Sequence, residues 1–347
     1  TIVGMRSWGL RDLRLVQILG TTVSTVNCIG SASVSRVQFL GGRGLEILNQ
    51  IGPVTVSETN VRGSNRDGAN LNVTGKVVIS NSSFHSNTGD GLRIRTTESV
   101  LLNGVSASAN TGTGTGIQSD NVKASVNAVS STFSNNSGGG LMMTVVGSVW
   151  LDKITSTRNG GAGLAVLNLD PATKASFTLL RSTVAGNSDG GVVLDSASAI
   201  TLDGVMVESN GGSYGVLITN SGAFKPVVIR DRLGPMVIQR NDGTGLYIQR
   251  VGAVTLSGLS ANNNLKAGVQ VENLDSKQSV NLSRVKVTGN GVSGGAVSTN
   301  GGVVMTDCQV DDNTVAGFYI QQFTPTAAKP VTILRSTFNH NAGGDGL

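Results

Sequence analysis

Along most of the chain, apolar and polar residues alternate one by one over short runs, and the runs break at Gly, Ser, Asn or Asp. In SVLLNGVSA, Val100 and Leu102 alternate before Val105. VWLDKI repeats this with Val149, Leu151 and Ile154, and AITLDGVMV with Ile200, Leu202 and Val205. Alternation with period two is a strand signal, and small polar breaks between the runs are turns. A third run follows a recurring phrase: Asn, a few small residues, Gly, then apolar, any residue, apolar. Its asparagines are Asn65, Asn87, Asn110, Asn136, Asn159, Asn187, Asn210, Asn241, Asn264, Asn290, Asn313 and Asn341.

From Asn87 onward the steps between them are 23, 26, 23, 28, 23, 31, 23, 26, 23 and 28 residues. One step is constant and the other absorbs insertions, so the repeating unit reads as a pair of coils. A fixed period of this size marks a solenoid. Three short strands then make one coil, and equivalent strands of successive coils stack in parallel about 4.8 Å apart. The Asn at one turn of every coil stacks on itself. Its amide carries donors and acceptors, so each side chain can bond the next and satisfy turn backbone. The glycines after it are expected to supply positive φ in that turn. Leucine-rich repeats have a similar period, but LxxLxL is absent. The nine-residue calcium-binding roll is absent too.

The units FHSNTGDGLRI, FSNNSGGGLMM and STRNGGAGLAVL resemble the repeats of the right-handed parallel β-helix, pectate-lyase-like superfamily, over roughly residues 30–347. The resemblance implies an all-β solenoid of about a dozen or more coils, three strands each, with an Asn ladder. We read residues 1–347 as one continuous β-helix, a segment of a longer chain. The superfamily holds polysaccharide lyases and hydrolases, epimerases, phage tailspikes, autotransporter passengers and adhesive surface proteins, so the fold does not choose a function.

Composition narrows the field. With 48 Gly and only 14 % charged residues among 347, the chain suits tight turns and short strands and suits long helices badly. The net charge of +5 permits an acidic partner such as a uronate polysaccharide. No dense Lys/Arg run with interleaved aromatics points to nucleic acid. No run of 18 apolar residues reads as a membrane span. Cys28 and Cys308 read as free thiols, with Cys308 pointing inward.

Within the resemblance, a lyase implies clustered carboxylates for calcium with an Arg or Lys base, and a hydrolase implies three nearby Asp. The acids are scattered instead. Asp311 and Asp312 are the one adjacent acidic pair, in a turn. Arg93 and Arg95 point outward from one strand, two coils along from Glu46. His85 and His340 lack partners at zinc-ligand spacing, and no metal or cofactor site is expected.

Two rows stand out. Lys123, Lys174, Lys225, Lys277 and Lys329 recur every 51 or 52 residues in the longer loops. They read as an anion-binding stripe or as a duplicated solubilising loop. The outward position of the third strand runs Glu46, Asn72, Arg93, Gln118, Met142, Ala165, Val193, Leu217, Tyr247, Gln270, Val297, Tyr319. Met142, Ala165, Val193, Leu217 and Tyr247 make an apolar strip, read as an interface. The expectation is a non-catalytic extracellular or cell-surface segment, bacterial, serving as stalk, adhesin or surface fibre. It would bind an acidic polysaccharide or self-associate into a fibre. The alternatives are a lyase or hydrolase of uronic-acid polymers and a tailspike-like shaft.

Overall fold

A computed structural model describes residues 2–17, 23–168, 175–220, 224–323 and 329–343. Among them every regular element is a strand, and no helix is long and apolar enough to cross a membrane. The chain divides into two units, Thr1–Leu167 and Asn168–Leu347. Both are right-handed parallel β-solenoids with three strands per coil. We call the three parallel sheets A, B and C, in the order in which each coil visits them. In the first unit one coil is Leu92–Thr96 in sheet A, Val100–Asn103 in B and Ser106–Ser108 in C. In the second, Val269–Asn273, Val280–Ser283 and Lys286–Thr288 do the same.

The alternation in the sequence becomes the inside and outside of each coil. In sheet A of the first unit, Leu71, Ile94, Ile117, Met143 and Val166 stand in register and are buried. In the second unit, Leu194, Ile218, Ile248, Val271 and Val297 form the equivalent column. Each side chain therefore packs on its homologue one coil away, which makes stability a sum of nearest-neighbour contacts. Cys28 and Cys308 are both buried free thiols. Burial raises the Cys308 thiol above its ordinary pKa.

The turn from sheet C to sheet A carries the Asn ladder. In the first unit Asn87 Nδ2 donates to Asn110 Oδ1, Asn110 to Asn136 and Asn136 to Asn159, each at 2.9 Å. In the second the chain runs from Asn187 through Asn210, Asn241, Asn264, Asn290 and Asn313 to Asn341, at 2.9 to 3.1 Å. Each Oδ1 also accepts a backbone N–H from the neighbouring coil, as Asn136 Oδ1 does from Asn110. Asn65 does not belong to the ladder. It is exposed, and the buried Ser64 takes the rung, with its N–H donating to Asn87 Oδ1 at 3.0 Å.

Among the described residues, Gly190 (φ 112°) and Gly212 (72°) of the phrase take the expected positive φ, and its other glycines do other work. The left-handed residue is the one immediately before the rung: Ser86 (φ 55°), Ala109 (54°), Asn135 (56°) and Arg158 (55°). The glycine just before each sheet A strand makes room instead. A Cβ on Gly91 would lie 2.6 Å from Asn110 Nδ2, and one on Gly114 would lie 2.6 Å from Asn136 Nδ2. Ladder and glycine are thus one device, in which the amide occupies the space a side chain would fill. A second polar column at the far end of sheet A escaped the sequence reading. Gln50 Nε2 donates to the Gly30 carbonyl at 2.6 Å, and Asn273 Nδ2 to that of Gly252 at 2.8 Å.

Candidate functional site

Sheet A of the first unit brings opposite charges together on one edge. Register aligns Glu46, Asn70 and Arg93 on its outer face in three successive coils. The turns that feed these strands add Arg43, Arg66 and Asp67. Together the six line a cleft of about 300 Å³. They meet there because the strand residues alternate outward and the turns open onto the same edge of the sheet.

Asp67 anchors the cleft. Its Oδ1 accepts the Asp90 N–H at 2.9 Å, and its Oδ2 lies 4.0 Å from Arg93 Nη1. Burial raises the Asp67 carboxyl above the ordinary carboxylate range. The Asp90 amide bond pulls it down, and the Asp90 charge pushes it further up. Asp90 repeats the motif one coil on, its Oδ1 accepting the Thr113 N–H at 2.8 Å. The cations are less committed. Among the described residues no carboxylate lies within 4 Å of the Arg43 or Arg66 guanidinium. Arg95, exposed beside Arg93, donates through Nε to Gln118 Oε1 at 3.1 Å. Some arginines elsewhere are paired, Arg230 with Asp203 at 2.7 Å, Arg284 with Asp231 at 3.2 Å and Arg335 with Asp307 at 2.7 Å, while others such as Arg62 and Arg250 also have no carboxylate within 4 Å among the described residues.

The other sequence candidates stand as follows. Lys225, Lys277 and Lys329 all sit on the link from sheet A to sheet B of the second unit, in alternate coils. Lys277 and Lys329 are exposed and Lys225 is half-buried. Lys123 is exposed on the same link in the first unit. Lys174 lies outside the described residues. Asp311 and Asp312 diverge: Asp311 is buried and accepts the Asn339 N–H at 2.9 Å, whereas Asp312 is an exposed left-handed turn residue. The pair does not form one acidic site. His85 is half-buried, and burial, then Arg62, lowers its pKa. His340 lies 3.9 Å from Asp312 at an exposed turn.

The outward column needs three corrections. Asn70, Gly116 and Ala296 occupy the places that repeat arithmetic gave to Asn72, Gln118 and Val297, and Val297 is buried. The count slipped by two residues at Asn72 and Gln118 and by one at Val297. Met142 pairs with Ala165 in the first unit. In the second unit Val193, Leu217 and Tyr247 are in register and only partly exposed. Tyr247 stacks on Tyr214 with centroids 5.0 Å apart and planes at 10°. Its hydroxyl donates to Glu272 Oε2 at 2.6 Å, and burial, then that carboxylate, raises its pKa. Tyr247 is therefore held within its own sheet. The cleft itself was missed as a unit. Arg93 and Glu46 were legible, but Arg43, Arg66 and Asp67 read as ordinary turn residues. The signal that could have found them is the recurrence of Arg in two successive turns.

The family model described as right handed beta helix region matches residues 43–231 and 236–347. The chain is also similar in structure to a crystal structure of the periplasmic alginate epimerase AlgG, a double mutant. The TM-score is 0.51 at 12 % identity, covering 82 % of this chain and 77 % of that one. At that identity the likeness concerns the fold alone. No curated protein matches the sequence.

Proposed function

The chain belongs to the right-handed β-helix family, and on that premise we propose that it works outside the cytoplasm, holding an acidic polysaccharide on sheet A of its first unit. The observation that carries this reading is the cleft of Arg43, Arg66 and Arg93 around Asn70, in which two of the three guanidinium groups lack a carboxylate partner. Guanidinium is weakly hydrated, planar and permanently charged, so it grips a sugar carboxylate through paired N–H groups. Asn70 and Glu46 between the cations suit hydroxyl groups, which donate and accept. The surplus of positive charge over the chain adds long-range attraction. The outer face of sheet A in the first unit also repeats coil after coil, as a polymer repeats unit after unit. In this reading the contact is binding without turnover, because Asp67 is already tied to the Asp90 amide.

One observation favours a second reading, an enzyme on uronic-acid polymers. Asp67 has a raised pKa and lies 4.0 Å from Arg93. General acids and bases are tuned toward their working pH in this way. The structural neighbour named as an alginate epimerase points in the same direction.

Size-exclusion chromatography with light scattering, on mixtures with alginate, pectate and a glycosaminoglycan, with and without calcium, separates the two. Binding predicts co-elution with an acidic polymer whose length and composition stay constant. Arg93→Ala should weaken it by about tenfold or more, the weight of one charged hydrogen bond. A polymer that shortens or changes its uronate composition moves the protein to the enzyme reading. No co-elution with any acidic polymer rejects the cleft as a glycan site.

A further inference from the structure

We infer that Gly116 is the bare floor of a sugar-ring subsite that adjoins the arginine cleft, and that the subsite takes one uronate unit of the polymer. The inference rests on the acidic-polysaccharide reading and extends it by one coil. Register places Gly116 on the outer face of sheet A, directly between Arg93 and Met142. Two strand spacings, roughly 10 Å, separate those flanking residues, about the width of one pyranose ring with its substituents. Arg93 is well exposed on one side, and Met142 is 37 % exposed on the other.

No structural reason for glycine exists at this position. Its φ is not left-handed, and an added Cβ would meet no atom within 4 Å. Gly114, two residues earlier, is the opposite case, since its Cβ would collide with the Asn136 amide at 2.6 Å. A glycine inside a strand loses packing and gains backbone entropy on unfolding. Such a residue often marks the place where a ligand approaches the backbone. Here the approach is open, and its surroundings are chemically matched. Arg93 offers a cation at one end. Arg95, held to Gln118 Oε1 at 3.1 Å, adds a second along one wall. Met142 presents a soft apolar surface to the C–H face of a ring. A uronate lying flat on Gly116 would direct its carboxylate to Arg93 and rest its apolar edge on Met142.

The test fills the floor. Gly116→Val has room for its Cβ and is a better strand former, so the thermal midpoint should hold or rise. Calorimetric titration with a hexasaccharide prepared from alginate should then show affinity lowered by about tenfold or more. Gly116→Ala, the smaller intrusion, should give an intermediate loss and guards against misfolding of the valine variant. If the wild type binds the hexasaccharide and both variants match it, the subsite is wrong while the cleft stands. If the wild type does not bind at all, the acidic-polysaccharide reading fails and takes the subsite with it.

Discussion

The Asn136 side chain makes four hydrogen bonds inside a buried turn. It accepts from the Asn110 amide and backbone, and it donates to Asn159 Oδ1 and to the Ala107 carbonyl. The nearby glycine exists to admit that amide. Gly114→Ala should therefore cost about 1–3 kcal/mol through overpacking against Asn136 Nδ2 and the Gly140 carbonyl. Gly116→Ala, two positions on, should cost nothing measurable. Urea midpoints of the two variants check this, and equal midpoints would sink the explanation. Asp67 supplies a second test at this scale. Its folded pKa lies above the ordinary 3.8, because burial disfavours the charge. Between the unfolded and folded values the native state holds more protons than the unfolded one. Stability then rises as pH falls through that window, and the ionised carboxyl is a cost at neutral pH. Asp67→Asn keeps an acceptor for the Asp90 N–H. It should stabilise the protein at pH 7, with the gain vanishing below about pH 3.8. A gain that persists at pH 3 would contradict the assignment.

Strands in this protein are too short to be stable singly; their columns are the structural elements. Down sheet C of the first unit the inward residues run Phe84, Ala107, Phe133, Ser156. Large and small alternate, and all four are buried. Ala107 thus fills the space between two phenyl rings, and the alternation keeps the core at even density. Ala107→Phe would put three rings in succession and should destabilise by about 1–3 kcal/mol. A thermal melt followed by circular dichroism reads it, and an unchanged midpoint would show that the column has slack. The polarity of a single strand marks which of its faces is inside. The alternation between columns, by contrast, is visible only after the coils are laid over one another.

At the scale of the whole molecule, some arginines are committed to acids and others are not. Turn arginines such as Arg284 and Arg335 bind acids in other coils of the second unit and hold turns in place. Arg43 and Arg66, with no carboxylate within 4 Å among the described residues, line the cleft and stay open to an outside group. If that is a polyanion, the association measured for wild type should weaken steeply between low and physiological salt, as exposed charges are screened beyond about 8–10 Å. The Arg93→Ala variant should show a shallower salt response. A binding event indifferent to salt would argue for the aromatic and apolar residues instead. Localisation outside the cytoplasm agrees with an acidic-glycan partner and is part of the same proposal.

The sequence by itself determined the coil. Period-two alternation, the 23-residue step and the recurring Asn settle three parallel sheets and a ladder, because in a solenoid every long-range neighbour is a homologue one repeat away. That is why Asn87 to Asn341 were readable as rungs. The same arithmetic failed where a repeat slips: Asn65 stood in for Ser64, and Gln118 for Gly116, since a register is set by backbone pairing and not by the identity of the nearest conspicuous residue. The cleft was beyond sequence for a related reason. Arg43, Glu46, Arg66, Asp67, Asn70 and Arg93 are spread over fifty-one positions, and only the stacking of coils brings turn and strand side chains onto one edge of one sheet.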